Sequence, residues 1–176
     1  MFQPYQQPTP VVRPRTEDDF PACAAALIAV HEVDGYPVEG VADPDAWLRP
    51  AGLMNAWVAE LAGEVIGHIC LTEPTDTDAA AVMFRETVEG AAVDIAVLGR
   101  LFVHPEARRH RAGELLTRAA MDHAASAGLR LVLDAMEKDQ AAIRLYERLG
   151  WRRIGTTDHD SGHGLVPAYC YVSPAP

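Results

Sequence analysis

The sequence has 176 residues and is 49% hydrophobic, which suits one globular domain with a single core. Its net charge of -10 argues against a nucleic-acid-binding surface, because neutralising phosphates requires a basic face. No apolar run reaches the roughly 20 residues of a membrane span, and the start, MFQPYQQPTP, lacks the features of a secretory signal, so we expect a cytoplasmic protein without membrane association.

The first half of the chain is predicted to alternate between strands and helices. Thr16 is followed by three acidic residues, which is the pattern of a helix N-terminus. Two β-rich runs flank Ala62 and Gly63 at hairpin spacing, so they should pair antiparallel. The predictions in chain order are a flexible tail at 1–9, an edge strand at 10–15, a helix from Thr16 to His31, a short helix after Asp43, strands at 54–61 and 64–73, and a small helix at 80–88.

The second half predicts a unit of strand, helix, strand and helix, followed by two further strands. The run LRLVLDAM is apolar on both faces, as expected of a buried parallel strand. Gly128 and Gly150 follow apolar helical faces and are predicted C-terminal stops, while Asp139 is a predicted N-cap. The predictions here are a long strand at 91–103, a helix from near Gly113 to Ala127, a strand at 129–136, a helix from Asp139 to Leu149, and strands at 151–157 and 166–173.

Charge is distributed unevenly along the chain. Residues 100–153 hold 11 of the 15 Lys and Arg but only 7 of the 25 Asp and Glu. This segment is therefore basic, whereas the remainder is strongly acidic. Such polarity suggests that the basic segment faces an anion and that the remainder faces water or a cation. Solvated surface charge is the alternative explanation.

The most informative stretch is LFVHPEARRHRAGELL, residues 101–116. The predicted strand turns at Pro105, presents four basic residues and then enters a helix; those residues are Arg108, Arg109, His110 and Arg111. Backbone N–H groups at a helix start are unpaired and carry the positive end of the helix dipole, so a pyrophosphate can bind there among arginines. Without an anion, arginines at this end of a helix are unfavourable. The pattern is neither GxGxxG nor a P-loop, which argues against NAD and ATP.

At these residues the chain resembles the GNAT acetyltransferases, whose hallmark is a strand, the pattern R/Q-x-x-G-x-G/A and a helix. Arg108, Arg111 and Gly113 fall on the first, fourth and sixth positions, with an arginine where the family usually has its first glycine. A second family-like segment, DQAAIRLYERLGW, spans residues 139–151. The resemblance implies an α/β (α+β) fold with a mixed, mostly antiparallel central sheet flanked by helices, in one domain over residues 10–173.

The resemblance also implies that acetyl-CoA is the donor, bound as a cosubstrate without a metal. Direct attack of a primary amine on the thioester needs donors for the oxyanion and an acid for the departing thiolate. The family pattern places Tyr146 near the donor sulfur as that acid, and Asp139 beside the pantetheine arm. A core tyrosine with a locally bonded hydroxyl is the structural alternative for Tyr146. The residues implied in acetyl-CoA binding are Leu101, Phe102, Val103, Arg108, Arg109, His110, Arg111, Ala112, Gly113 and Asp139.

The general base is not evident from the sequence. Residues 95–103 contain no carboxylate, although many relatives carry a glutamate on this strand, and Asp94 lies too far upstream. The open candidates are a chain of waters to bulk solvent, or Glu73, His68 or Glu32 acting through water.

Two histidines and three cysteines have spacings that invite comparison with metal sites and disulfides. His159 and His163 have an H-x3-H spacing but no supporting Cys ligands, so we expect a mobile surface loop and no metal. Cys23, Cys70 and Cys170 are widely spaced and odd in number, which predicts three reduced, largely buried thiols.

The acceptor is expected to be a small-molecule or peptide amine bound by the loops at 31–49, 74–90 and 158–166. Acidic residues in the first two loops would attract a cationic amine, although solvation explains them equally well. Two other functions stay open: a noncatalytic CoA-binding or regulatory module of the same fold, and an unrelated α/β domain that binds ATP or NAD. The assembly is expected to be a monomer or a homodimer.

Overall fold

The computed structural model describes residues 8–176, so most of the flexible tail expected at residues 1–9 lies outside the described residues. Within this range, three short 3-10 helices join the main elements at Glu17–Asp19, Gly90–Ala92 and Pro105–His110. The helices and strands of this range are β1 (Val11–Pro14), α1 (Phe20–Asp34), α2 (Pro44–Trp47), β2 (Leu53–Leu61), β3 (Glu64–Thr72), α3 (Ala79–Arg85), β4 (Ile95–Val103), α4 (Ala112–Ser126), β5 (Arg130–Met136), α5 (Gln140–Arg148), β6 (Arg152–Asp160) and β7 (Leu165–Val172).

The strands form one sheet across the described range, in the order β1-β2-β3-β4-β5-β7-β6. Every neighbouring pair is antiparallel except β4 and β5, which are parallel, so the expected mixed, mostly antiparallel sheet is confirmed. The hairpin of β2 and β3 turns at Ala62 and Gly63, whose φ values of 52° and 87° are the left-handed pair that a two-residue hairpin turn requires.

The two central strands part soon after they meet. Ile95, Ala96 and Val97 of β4 pair with Arg130, Leu131 and Val132 of β5, and the pairing ends there. Beyond that point β4 continues alongside β3, while β5 continues alongside β7. On the sides that face each other, the second halves of β4 and β5 therefore border a gap.

The structure moves the predicted ends of two helices, since α1 continues to Asp34 and α3 stops at Arg85, and it corrects two strand boundaries. The long strand predicted at 91–103 begins only at Ile95, because the chain is still folded against α3 at Gly90, where a Cβ would come within 1.8 Å of the Phe84 carbonyl oxygen. The last hairpin is longer than predicted, and its strand β6 pairs as far as Asp160 with Leu165. His159 is therefore part of a paired strand, so the expectation of a mobile surface loop at this residue is wrong.

Helix α4 packs closely on the sheet and so fixes where its N-terminus lies. Its fully buried side chains recur every four residues and are mostly small, which places them on one face. The contact is tight, because a Cβ at Gly67 of β3 would lie 3.1 Å from Leu116 of the helix. Burial of a leucine such as Leu116 stabilises the fold by about 1.5–3 kcal/mol. None of the helices within residues 8–176 is both long and apolar enough to cross a bilayer.

Candidate functional site

A cleft of about 1070 Å³ occupies the gap between β4 and β5. It brings together most of the residues that the sequence singled out, although they lie up to 45 positions apart: Leu101, Phe102, Val103, Arg108, Arg109, Arg111, Gly113, Asp139 and Tyr146. Two predicted residues do not line it. Ala112 is packed in the core at 1% exposure, and the Nδ1 atom of His110 lies 3.2 Å from the carbonyl oxygen of Ala107.

A β-bulge in β4 forms one wall of the cleft. His68 of β3 pairs with Phe102 and Cys70 pairs with Gly99, so one residue of β3 faces two residues of β4. One of those two, Arg100, has a φ of 53°, which is uncommon for a residue with a side chain. A bulge bends its strand and increases the local twist. We attribute the separation of β4 from β5 to this bulge.

His68 stabilises the bulge from the core side. Its ring is fully buried, its Nδ1 lies 2.9 Å from the Arg100 carbonyl oxygen, and its Nε2 lies 2.9 Å from Nη1 of Arg15. The carbonyl can only accept and the guanidinium can only donate, so Nδ1 carries the hydrogen and Nε2 accepts. Burial, reinforced by the charges of Arg15 and Arg100, lowers the pKa of His68 to about 4. Both ring nitrogens are thus engaged, which leaves neither for the proton of an amine.

The turn before α4 shows why the family position of Arg111 favours glycine. Arg111 lies directly before the helix with φ 61° and ψ 17°, the left-handed conformation that glycine adopts freely. An arginine there costs about 1 kcal/mol in backbone strain. Gly113 follows inside the helix, where an added Cβ would lie no closer than 3.7 Å to Leu145. The loop therefore has a conformation that glycine would adopt without strain, with a charged side chain at that position.

Carboxylates contact three of the arginines that line the cleft. Arg108 forms an ion pair with Asp34 at the end of α1. Arg111 donates to Glu114 at 2.9 Å, and Arg118 and Arg148 contact the same carboxyl group at 3.1 and 3.4 Å. Hydrogen bonds from Arg111 and Arg118 lower the pKa of Glu114 to about 2. A phosphate that enters this end of the cleft must therefore compete with carboxylates for the guanidinium groups.

Tyr146 lies on the inward face of α5 and is 5% exposed. Its ring packs against Trp151 and Tyr171, with centroid separations of 5.5 and 6.4 Å. Its hydroxyl has no hydrogen-bond partner among residues 8–176, unlike the locally bonded hydroxyl of a structural tyrosine. Burial raises its pKa, and the nearby carboxylates of Asp139 and Asp134 raise it further. The hydroxyl therefore stays protonated and faces the cleft.

Asp139 occupies the N-cap position of α5, but the prediction that its side chain caps the helix is wrong. Its backbone has φ -86° and ψ 60°, outside the extended region that capping residues usually adopt, and its carboxyl group makes no cap hydrogen bond. Burial raises the pKa of this carboxyl group, and Lys138 lies 3.8 Å away. The side chain is thereby left to line the cleft.

A pair of residues that the sequence did not single out as a site also lines the cleft. Nε2 of His159 on β6 contacts the carboxylate of Asp134 on β5. This hydrogen bond is the main reason that the pKa of His159 is raised. The one signal in the sequence is that Asp134 is the single polar residue inside the apolar run at 131–136. Of the base candidates named from the sequence, neither Glu73 nor Glu32 lines the cleft.

Potential metal ligands do not cluster in the described part of the chain. Across residues 8–176, no group of three or more His, Cys, Asp or Glu side chains could hold a metal ion. His163 lies beyond the end of β6, away from His159 in the strand, so the H-x3-H spacing does not form a pair of ligands on one element.

The sequence matches the model of the "Acetyltransferase (GNAT) family" over residues 16–151, which include the gap, the arginine turn and Tyr146. The chain therefore belongs to the GNAT acetyltransferase family.

Individual relatives agree with this membership. The chain is 33% identical over 143 residues to a mycothiol acetyltransferase from Thermobispora bispora, a match that covers 79% of this chain but only 44% of that protein. The fold is similar to a ribosomal-protein-alanine N-acetyltransferase from Brucella melitensis, with a TM-score of 0.70, 20% identity and coverage of 93% and 98% of the two chains. It is also similar to Arabidopsis thaliana NAA60 in complex with acetyl-CoA, with a TM-score of 0.69, 16% identity and coverage of 93% and 97%.

Proposed function

We propose that the protein is an acetyl-CoA-dependent N-acetyltransferase, which moves an acetyl group to a primary amine by direct attack on the thioester. The observation that carries the proposal is the cleft between β4 and β5. At one end of it lie the N-terminus of α4 and three arginines, and further along the same space lies the free hydroxyl of Tyr146. These features suit two parts of acetyl-CoA: the anionic phosphates of the carrier, and the thiolate leaving group, which needs a proton.

The start of α4 has the chemistry to hold the pyrophosphate. Its first N–H groups have no partner within the helix and carry the positive end of the dipole. Arg108, Arg109 and Arg111 line the adjoining wall, and Gly113 leaves the helix surface open for close approach of the phosphates. Asp139 lies further along the cleft, where the pantetheine arm would pass.

The walls of the gap supply the groups that the reaction needs. Those peptide N–H groups of Leu101 to Val103 that point away from β3 would donate to the thioester oxygen as it gains charge, because this part of β4 has no partner strand on the side of β5. As the C–S bond breaks, Tyr146 would donate its proton to the thiolate of CoA. The acetyl group itself comes with acetyl-CoA.

Binding and turnover test the proposal separately. The protein should bind acetyl-CoA and CoA in calorimetric titration, but not ATP or NAD. It should then release free thiol from acetyl-CoA with at least one amine of a panel containing small-molecule amines, peptides that begin with alanine, and the amine that mycothiol acetyltransferases use, with the product heavier by one acetyl group. Binding without transfer to any amine would indicate a noncatalytic CoA-binding module. Binding of ATP or NAD instead would refute the proposal.

Tyr146→Phe tests the acid. The variant keeps the ring packing, and because the hydroxyl has no protein partner in the described residues, the free energy of unfolding should change little. We expect kcat to fall by about 10-fold or more, with acetyl-CoA affinity unchanged. Tyr169→Phe is the matched control, since its hydroxyl bonds Glu137 outside the cleft. Parental turnover by Tyr146→Phe at every pH would mean that water protonates the thiolate.

We also keep the cytosol as the proposed location, because Cys23, Cys70 and Cys170 are all free and buried.

A further inference from the structure

We propose that His159, held by Asp134, is the general base that removes the proton from the attacking amine. The assignment rests on the proposed acetyl transfer, which needs a group to accept that proton. It fills the role for which no carboxylate is present on β4 between Ile95 and Val103.

The pair lies across the gap from the bulged strand. Asp134 is on β5, two residues past the point where β5 leaves β4, and its carboxylate lines the cleft. His159 is on β6, with β7 between the two strands, and its Nε2 reaches the Asp134 carboxylate. Both side chains therefore face the same space as the thioester-binding wall formed by residues 101–103.

The hydrogen bond prepares the other ring nitrogen to accept a proton. A carboxylate can only accept, so Nε2 of the neutral ring carries the hydrogen and Nδ1 has a free lone pair. Nδ1 has no protein partner among residues 8–176, and the side chain is 38% exposed, so an amine or a bridging water can reach it. When Nδ1 takes a proton, the adjacent carboxylate of Asp134 stabilises the imidazolium, as an aspartate does in a catalytic triad.

The position of the pair along the cleft suits this role. Asp134 and Tyr146 line the same cleft, and the charge of Asp134 contributes to the raised pKa of the tyrosine. Glu39 from the loop after α1 also lines the cleft, and its charge favours protonation of His159. The pair therefore shares the cleft with the proposed acid and with Glu39, which belongs to one of the loops expected to bind the amine.

The other carboxylates that line the cleft have neighbouring partners in the described residues. Asp139, at the start of α5, has the ammonium group of Lys138 3.8 Å from its carboxyl group. Those held by neighbouring donors are Asp34 by Arg108, Glu39 by Trp47, Asp78 by Thr75, Glu114 by three arginines, and Asp160 by the backbone of Gly162.

Two side chains, His159 and Tyr146, account for every proton that moves in the transfer. The lone pair of the amine forms a C–N bond to the thioester carbon, the carbonyl π electrons move to oxygen, and an amine proton moves to Nδ1 of His159. The oxyanion then re-forms the carbonyl, the C–S bond breaks, and Tyr146 gives its proton to the thiolate. Transfer of the proton from His159 through water to the Tyr146 phenolate restores both groups, leaving an amide and CoA.

The test compares His159→Gln with His163→Gln, a neighbouring exposed histidine that does not line the cleft. His159→Gln should lower kcat by about 10²- to 10⁴-fold without changing acetyl-CoA affinity, whereas His163→Gln should leave both unchanged. Asp134→Asn is the second variant and should lower kcat in the same direction. Circular dichroism and urea unfolding confirm that each variant is folded.

The pH profile separates a base from a merely structural residue. The charged groups that face His159 are Asp134 from β5 and Glu39 from the loop after α1, and both favour the imidazolium. In the parent, kcat/KM should therefore rise with pH with an apparent pKa above the ordinary histidine value of 6.5. Titration of the acceptor amine could produce a similar rise, so the profile is measured with two acceptors whose amine pKa values differ. The rise that is common to both acceptors belongs to the enzyme. It should shift to lower pH in Asp134→Asn and disappear in His159→Gln.

Each outcome decides the assignment. An active parent together with a His159→Gln variant that keeps the same pH limb and turns over within about threefold of the parent would overturn the role of His159 and leave the proposed function intact. A parent that transfers acetyl to no amine would overturn both.

Discussion

Acidification should destabilise the folded protein between pH 6.5 and about 4, because His68 is buried in its neutral form. In the folded state both ring nitrogens are engaged, one with the Arg100 carbonyl oxygen and one with Arg15. A proton added to Nε2 would remove its acceptor and place a buried cation against the guanidinium of Arg15. In the unfolded chain the same ring is in water and takes up a proton near pH 6.5.

The sign and size of the effect follow from that difference. The folded-state pKa of about 4 is below the unfolded value of 6.5, so between these pH values the unfolded state binds one more proton. The free energy of unfolding should therefore be unaffected by this group above pH 6.5 and should fall by about 1.4 kcal/mol per pH unit below it. The total loss by pH 4 is about 3 kcal/mol, a large part of the stability of an ordinary domain.

Urea unfolding at a series of pH values measures this loss, with His68→Gln as the control. Glutamine can donate to the Arg100 carbonyl and accept from Arg15 but does not titrate, and all other ionisable groups are common to both proteins. The parent should lose about 3 kcal/mol more than the variant between pH 7 and pH 4. Equal losses in the two proteins would refute the buried neutral His68, whatever the absolute stability of the variant.

Three further changes test the phosphate end of the cleft by acetyl-CoA titration. Arg108→Ala should weaken binding about tenfold, and the affinity of the parent should fall with added salt, because charged hydrogen bonds are screened. Asp34→Asn should tighten binding, because it frees Arg108 and removes a negative charge beside the ligand; unchanged affinity would mean that the Arg108 ion pair does not compete with phosphate. Gly113→Val should fold, since a Cβ there meets only Leu145 and Val103 at 3.7 and 3.8 Å, but should lose acetyl-CoA at least tenfold; normal binding would show that the pyrophosphate does not approach the helix here.

Local patterns were sufficient to predict most of the fold. Gly128 and Gly150 end their helices with φ values of 71° and 85°, the left-handed conformation expected of a helix stop. The hairpin at Ala62 and Gly63 follows from turn chemistry, and the order of elements follows from apolar periodicity. In the same way, the basic turn before α4 could be found because all its residues lie within one short segment.

The parts of the site that the sequence did not reveal depend on contacts between distant segments. The bulge at Arg100 arises from register with β3, and nothing in the local sequence marks an arginine for positive φ. Asp134 and His159 lie 25 positions apart on strands separated by β7, so no local spacing links them. Arg108 meets Asp34 across 74 positions. Such pairs become visible only when the sheet order is known.

The gap between β4 and β5 leaves the protein with a strand edge in its interior. Beyond Val97 of β4 and Val132 of β5, the sides of these two strands that face each other have no strand partner in the described residues. The two halves of the sheet are instead joined by apolar side chains, with Ile69, Leu116 and Leu133 of β3, α4 and β5 in one cluster. An exposed edge on a protein surface invites pairing with other chains. Here the edge lies along the cleft, so under the proposed function its unpaired peptide groups would be available to an extended ligand that lies alongside them as an added strand would.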